Sequence, residues 1–424
     1  MLILISALII MGITYLFIVT EWINKMTAAL LGSFIFVLAG IMTQEQAFSY
    51  IDWNVVFLLV GMMIVVAILK DTGVFQYVAI KTAKATRGRP IWIMLLLFVM
   101  TALISAVLDN VTTVMLLIPV VLLITQELKI SPYPYIINIT MASNIGGTAT
   151  LIGDPPNILI GSRTDLTFMQ FIYNLVPPVL VVMLISLIMI RIFYRKRIKV
   201  SNRDRAKLME YNERILIKDR KLLRRSLYAI CLMLVLFSLQ GVLALESATI
   251  AMTTALVMLI FSNRKYVEQI VSEVDWVTIF FFMGLFMIVG GLSETGILRT
   301  LAHWIVEVTN NDSKLIALTI IWVSGIASAL MGCVPVVATM IPVINDVNLA
   351  MGGAMENTLW WALALGSCLG GLGTPIGAAS NIVAIGIANR NGFRIRFFQF
   401  VKYGLIYMTI SLVVSSIYIW VRYL

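Results

Sequence analysis

"NIGGTATLIGDPPNILIG", residues 144–161, sits inside a long apolar run yet holds four glycines, Pro155, Pro156 and Asp154. Proline removes a backbone donor and clashes with the preceding helical turn, so a helix through this stretch is expected to break. At membrane depth such a break persists where the freed N–H and C=O groups find protein, water or a solute. The freed half-helix ends then present partial charges. The stretch therefore announces a discontinuous helix with an acidic group at the gap.

The rest of the chain fixes the setting. Of its 424 residues 60% are hydrophobic and 12% charged, and the mean hydropathy is +0.98, which describes a polytopic membrane protein rather than a soluble domain. Cys231, Cys333 and Cys368 stand in apolar surroundings and form neither a disulfide framework nor a metal pattern. His303 is the single histidine, so histidine-based catalysis and a histidine-rich metal centre are disfavoured. The net charge of +10 lacks the soluble basic surface that a nucleic-acid partner needs, and no cofactor is expected.

Apolar windows of bilayer length fall at roughly 2–20, 27–43, 54–70, 135–160, 172–194, 226–244, 247–262, 277–293, 358–388 and 403–422, about ten crossings. Two further stretches, about 91–126 and 315–344, are interrupted midway by "SAVLDNVTT" and "MGCVPVV". Each leaves two arms short for a full span, and both read as re-entrant hairpins. With the basic stretch 195–225 in the cytoplasm, every Lys and Arg falls on that side except Arg163, Arg299, Lys314 and Arg422; Arg264 and Lys265 are among those inside. This positive-inside bias places both termini outside the cytoplasm. The first helix has no charged leader or cleavage site and is expected to be retained.

Internal repetition supplies the architecture. "DWNVVFLLVGMM" from Asp52 returns as "DWVTIFFFMGLF" from Asp275, an offset of 223, and Pro119 and Pro342 keep the same spacing. "NIGGTATLIGDPPN" (144–157) aligns with "CLGGLGTPIGAASN" (368–381). The charge bias starts the Asp52 helix outside and the Asp275 helix inside, so the copies run in opposite directions. We expect an all-α fold of two inverted repeats, residues 1–194 and 226–424, joined by a cytoplasmic basic linker at 195–225. Inverted repeats with broken helices are a transporter architecture, with the site at the midplane where the halves meet.

The site then draws on two hairpin tips and two breaks. Gly146, Gly147, Gly153, Pro155 and Pro156 are expected to open the first break, and Gly370, Gly371 and Gly377 the second. Solute-binding candidates are Asn110, Thr112, Thr113, Asn157, Cys333, Thr374, Ser380 and Asn381. Asp109 and Asp154 are the proton-coupling candidates, because ionisable groups within spans are costly and usually mark solute or proton paths. Either can instead cap a half-helix. Their counterparts, Gly332 and Ala378, carry no charge. Cys333 and Cys368 align with Asn110 and Asn144 and read as small wall residues.

"SAVLDNVTTVMLLIPV", "NIGGTATLIGDPPNILIGS", "VPVVATMIPVI" and "GTPIGAASNIVAIG" resemble the arsenite-efflux permease (ArsB-type) family of the ion transporter superfamily, over nearly the whole chain. The "LDNVTT" hairpin is closer to the branch containing the melanosomal pigmentation P protein. The resemblance implies an inner (plasma) membrane carrier that exports arsenite or antimonite in exchange for protons, sometimes with a soluble ATPase partner, by an elevator-like motion of hairpins and broken helices. Arsenous acid is a small neutral tris-hydroxyl that amides and hydroxyls can hold, and no Lys or Arg stands at the four breaks. A sodium/proton antiporter is the alternative, since carboxylates and carbonyls also make a hard-cation site. A hydrolase lacks a nucleophile with its base, and a channel lacks a ring of like residues.

Overall fold

The computed structural model describes residues 2–20, 22–195, 200–210, 213–261, 267–353 and 355–424, and among these every regular element is a helix. Arg264, Lys265 and linker residues 196–199 and 211–212 lie outside the described residues.

Eighteen of the described helices form two sets of nine. The first set is α1 (Leu2–Thr20), α2 (Lys25–Leu38), α3 (Trp53–Asp71), α4 (Val74–Ala85), α5 (Pro90–Ser105), α6 (Asn110–Glu127), α7 (Tyr133–Gly147), α8 (Pro155–Ser162) and α9 (Phe168–Tyr194). The second is α10 (Arg220–Ser238), α11 (Ser247–Phe261), α12 (Trp276–Glu294), α13 (Ile297–Val308), α14 (Ser313–Met331), α15 (Cys333–Ala350), α16 (Glu356–Gly370), α17 (Ala379–Arg390) and α18 (Phe397–Tyr423). Short helices at Gln44–Ser49 and Val267–Ser272 precede α3 and α12. Seven of the described helices are long and apolar enough to cross a bilayer: α3, α6, α9, α12, α14, α15 and α18.

The two sets interlock. α3 packs on α11 of the other set, and α12 packs on α2. Glycine makes both crossings possible, since a Cβ at Gly61 would stand 2.8 Å from the Ala251 carbonyl carbon and one at Gly284 2.8 Å from that of Ala29. Without a hydrophobic drive between helices in lipid, such close backbone approach supplies the dispersion contact that holds them. α5 packs on α7 and α14 on α16. The second hairpin arm of each set lies on the broken helix of the other, α6 on α17 and α15 on α8, which brings both tips and both breaks together.

Three features differ from the sequence reading. Three of the four hairpin arms are not short: α6 and α15 have 18 residues and α14 has 19, while α5 has 16, because apolar residues continue up to each interruption. α4 and α13, which lie outside the apolar windows, are amphipathic helices; α13 buries Leu298, Ala302, Ile305 and Val306 on one face and carries His303 exposed on the other. The described part of the linker is docked, not free. Its Lys218 N–H donates to the Thr72 carbonyl at 3.1 Å, and Lys84 pairs with Glu213 at 2.7 Å.

Candidate functional site

Each broken helix is held open by side chains rather than by proline alone. α7 ends at Gly147 and α8 begins at Pro155, with residues 148–154 between them. Thr150 Oγ1 donates to the Ala106 carbonyl at 2.6 Å and accepts the Gly153 N–H at 3.1 Å. Asn157 Nδ2 donates to the Thr148 and Thr150 carbonyls at 3.1 and 2.8 Å. These contacts satisfy backbone groups that a continuous helix would have paired.

The second break repeats the device. Thr374 Oγ1 donates to the Ala329 carbonyl and accepts the Gly377 N–H. Asn381 Nδ2 donates to the Gly371 and Thr374 carbonyls, each at 2.8 Å.

Pro155 and Pro156 occupy the first turn of α8, where proline is tolerated, so they start the half-helix and do not sit in the gap. Gly146 and Gly147 are helical, and Gly370 closes α16. Their lack of a side chain serves packing: a Cβ at Gly146 would run into Ala102, one at Gly370 into Gly325, and one at Gly147 into the Gly153 carbonyl. Gly371 and Gly377 face one another in the same way.

Amides bind the halves to each other. Asn144 Nδ2 donates to Asn381 Oδ1 at 2.8 Å, and its equivalent Cys368 donates from Sγ to Asn157 Oδ1 at 3.5 Å. Asn144 Oδ1 accepts from Ser380 Oγ at 2.9 Å and Asn110 Nδ2 at 3.1 Å. Asn110 Nδ2 also donates to Asp154 Oδ1 at 3.2 Å. One buried polar network thus joins Asn110, Asn144, Asp154, Ser380 and Asn381, with Asp154 1% exposed.

The two aspartates have different employments. Asp109 is the N-cap of α6 and accepts the Thr112 N–H at 2.8 Å. Asp154 is at the N-cap position of α8 but makes no capping hydrogen bond. Where the first set uses Asp109, the second uses Gly332, whose φ of +93° turns the chain sharply. The first N–H of α15, on Cys333, then donates to the Gly377 carbonyl at 3.0 Å. Charge at the first tip and its absence at the second are two solutions to one capping demand.

A cavity of about 280 Å³ reaches this network. Asp109, Asn110, Thr112, Asp154, Pro155 and Cys333 line its depth, and Lys25, Lys70, Glu273 and Asp275 stand along its wall and mouth. Thr113 is buried one turn behind Asp109, its Oγ1 without a partner, and Thr374, Ser380 and Asn381 are not among the lining residues. The cavity opens on the linker's face, for Lys70, paired with Glu273 at 2.9 Å, is two residues from the docked Thr72 carbonyl. A second cavity of about 1300 Å³ lies elsewhere, lined by Arg163, Gln170, Asn348 and Trp360 among others, and none of Asp109, Asn110, Asp154 or Cys333 borders it.

Sequence reasoning missed Asn144 and Lys25. Asn144 is the hub of the amide network, and its alignment with Cys368 was the available signal. Lys25 reads as an orientation charge after the first span, yet it faces the cavity with its ammonium 5.4 Å from the Phe281 ring centroid. The four breaks lack a cation, as expected, but the cavity does not. No group of three or more His, Cys, Asp or Glu side chains fit for a metal ion occurs among the described residues.

Residues 15–366 match the citrate transporter family. The chain is 40% identical to an uncharacterized transporter of Mycobacterium tuberculosis over 96% of each. It is 30% identical to the P protein of Sus scrofa over 99% of this chain and 59% of that protein. The crystal structure of the Alcanivorax borkumensis YdaH transporter superposes with a TM-score of 0.60 at 14% identity, covering 91% of this chain and 88% of that one, which is a likeness of fold.

Proposed function

The chain belongs to the citrate transporter family, and from that premise we propose that it is a secondary active transporter exporting a small hydroxylated solute, arsenite or antimonite, in exchange for protons. Transport and a multi-pass membrane setting follow from the family; solute, coupling and direction are our reading. It rests above all on Asp154, a buried carboxylate that caps nothing and is held by the Asn110 amide.

A neutral polyhydroxyl can donate to the ionised Asp154 while Asn110 and the Cys333 wall border it. Protonation of Asp154 removes its charge and turns one of its acceptor oxygens into a donor, so solute and proton compete for one place. Loaded with solute from the linker face, the carrier releases it on the other side as a proton binds, and returns protonated. Each cycle moves one positive charge inward, worth about 2.3 kcal/mol per 100 mV. Asp109, occupied as a cap, positions the hairpin tip. The linker is placed in the cytoplasm, with both termini outside the inner membrane, and is the surface a soluble ATPase would meet.

Free citrate is a poorer fit to this site. Its three carboxylates would meet Asp109, Asp154, Glu273 and Asp275, with Lys25 the lining cation that forms no ion pair among the described residues. The same acidic lining favours sodium/proton antiport as the second reading. Inverted vesicles loaded with a pH-sensitive dye separate the three. Dequenching on arsenite, with none on sodium or citrate, is the expected outcome; dequenching on sodium alone overturns the solute assignment.

A further inference from the structure

Three positions of each half can be matched through the repeat, and the two faces treat them differently. On the linker face Met63, Asp275 and Ile387 line the open cavity. Their counterparts in the other half are Phe286, Asp52 and Arg163, and these are packed on one another. Arg163 Nε pairs with the Asp52 carboxylate at 2.9 Å. The same guanidinium lies 5.9 Å from the Phe286 ring centroid, and Phe286 is buried beneath it.

The scaffold contacts beside these positions are present on both faces. Glu273 pairs with Lys70 at 2.9 Å on the linker face. Its counterpart Tyr50 donates to Glu294 Oε1 at 2.6 Å on the opposite face. Burial, then the Glu294 carboxylate beside it, push the Tyr50 hydroxyl up to about 12, so it keeps its proton at any working pH. Arg163 Nη2 donates to the Tyr50 carbonyl at 3.1 Å. What is present on one face and absent on the other is therefore the tie between scaffold and broken helix. Asp52 begins α3, whereas Arg163 ends α8.

We propose that Arg163, Asp52 and Phe286 form a latch between the second cavity, on whose wall Arg163 stands, and the Asp154 network, which shuts that way in and so holds the carrier open toward the linker. The inference rests on the alternating-access reading above. When the linker face closes, Met63, Asp275 and Ile387 come to the equivalent positions, but Ile387 offers no charge to Asp275. The ion pair thus exists in one conformation only, and a contact made in one of two states shifts their populations by its differential free energy. The cation over the Phe286 face adds to it. The carrier is biased toward accepting solute on the linker side, a difference that the near-symmetric backbone alone would not create.

Cys333, on the wall of the open cavity, is a native reporter. In a Cys231→Ser background, a small membrane-impermeant thiol reagent is applied to the linker face of sealed vesicles, with Cys333→Ser to identify the signal. Arg163→Ala is expected to slow Cys333 modification about one-and-a-half- to twofold, because loss of a partly exposed ion pair carries a linker-open majority back toward an even split. Asp52→Asn, which keeps the cap on α3, should do the same, while Arg163→Lys should retain most of the parent rate. Unchanged rates in both charge-removing variants overturn the latch, as does a parent in which Cys333 does not react from that face. Arsenite and proton flux in the same vesicles keeps the two readings apart. A slowed Cys333 without arsenite flux sinks the solute and leaves the latch; pH-dependent arsenite flux with unaltered Cys333 rates does the reverse.

Discussion

Asp109 and Asp154 differ by what their oxygens already do, and that difference sets the outcome of replacing them. Asparagine caps a helix about as well as aspartate, so Asp109→Asn should change stability by no more than a few tenths of a kcal/mol and leave most of the transport. Asp109→Ala should cost about 1 kcal/mol. Asp154→Asn keeps the shape and the contact with Asn110 but removes the proton site. Uphill arsenite export driven by pH should disappear while downhill arsenite exchange continues at raised arsenite concentration, since the amide, like the protonated acid, is the weaker acceptor. Export against a gradient with unaltered pH dependence in Asp154→Asn would place the coupling proton elsewhere. These two residues stood out in the sequence because a carboxylate within an apolar run is anomalous. Asn144 did not, since an asparagine in a helix excites no expectation until tertiary packing brings Asn110, Ser380 and Asn381 to it. Lys25 was hidden differently, by the general bias that puts lysines at the ends of spans on one side of the membrane.

At the scale of the element, the breaks were legible and their cause was not. The sequence places glycines and prolines at the gaps, but α8 begins with its prolines at positions where a helix accepts them, and the gap is propped by Thr150 and Asn157. Replacing Pro155 and Pro156 together with alanine should therefore preserve the break, with arsenite flux within about twofold of the parent, because a first-turn proline costs a helix little and replaces no bonded donor. Asn157→Leu is the informative contrast. It strands the Thr148 and Thr150 carbonyls in a buried setting, at about 1–3 kcal/mol for each acceptor left unpaired. Thermal denaturation in detergent should show a clear fall for Asn157→Leu and little for the double alanine variant. The opposite ranking would return the prolines to the role their position in the sequence implies. The amphipathic helices α4 and α13 escaped the reading of spans for a plain reason. Length is judged against a bilayer, and a helix that is too short or one-sided to cross is invisible to that criterion whatever it packs against.

For the whole molecule, the duplicated halves and their matching helix ends follow from a repeat that survives in short strings such as "DWNVVFLLVGMM" and "DWVTIFFFMGLF". The orientation rests on charge bias and has its own test. Cysteines introduced at Asn391 and Asn310, both exposed, should behave oppositely in intact cells, the first shielded from an impermeant reagent and the second reactive. Labelling of Asn391 from outside would invert the protein in the membrane and with it the direction assigned to transport. A uniform response at the two positions would contradict opposed faces altogether. The latch and the acidic cavity belong to this scale as well, because each draws its residues from both copies and neither copy contains the whole.

The crossing at Gly61 also governs how the chain is made. Its partner Ala251 lies in the second half, so during synthesis α3 enters the membrane with its glycine-floored groove facing lipid and must wait for α11. α2 likewise waits for α12, and α8 for α15. A ribosome that has released only the first copy has produced a bundle whose tightest seats are empty, in a solvent that gives apolar helices no reason to close over them. Newly made chains should remain open to membrane proteases until the second copy arrives and mature only then, and a message cut after the linker should yield a protein that is inserted and promptly degraded.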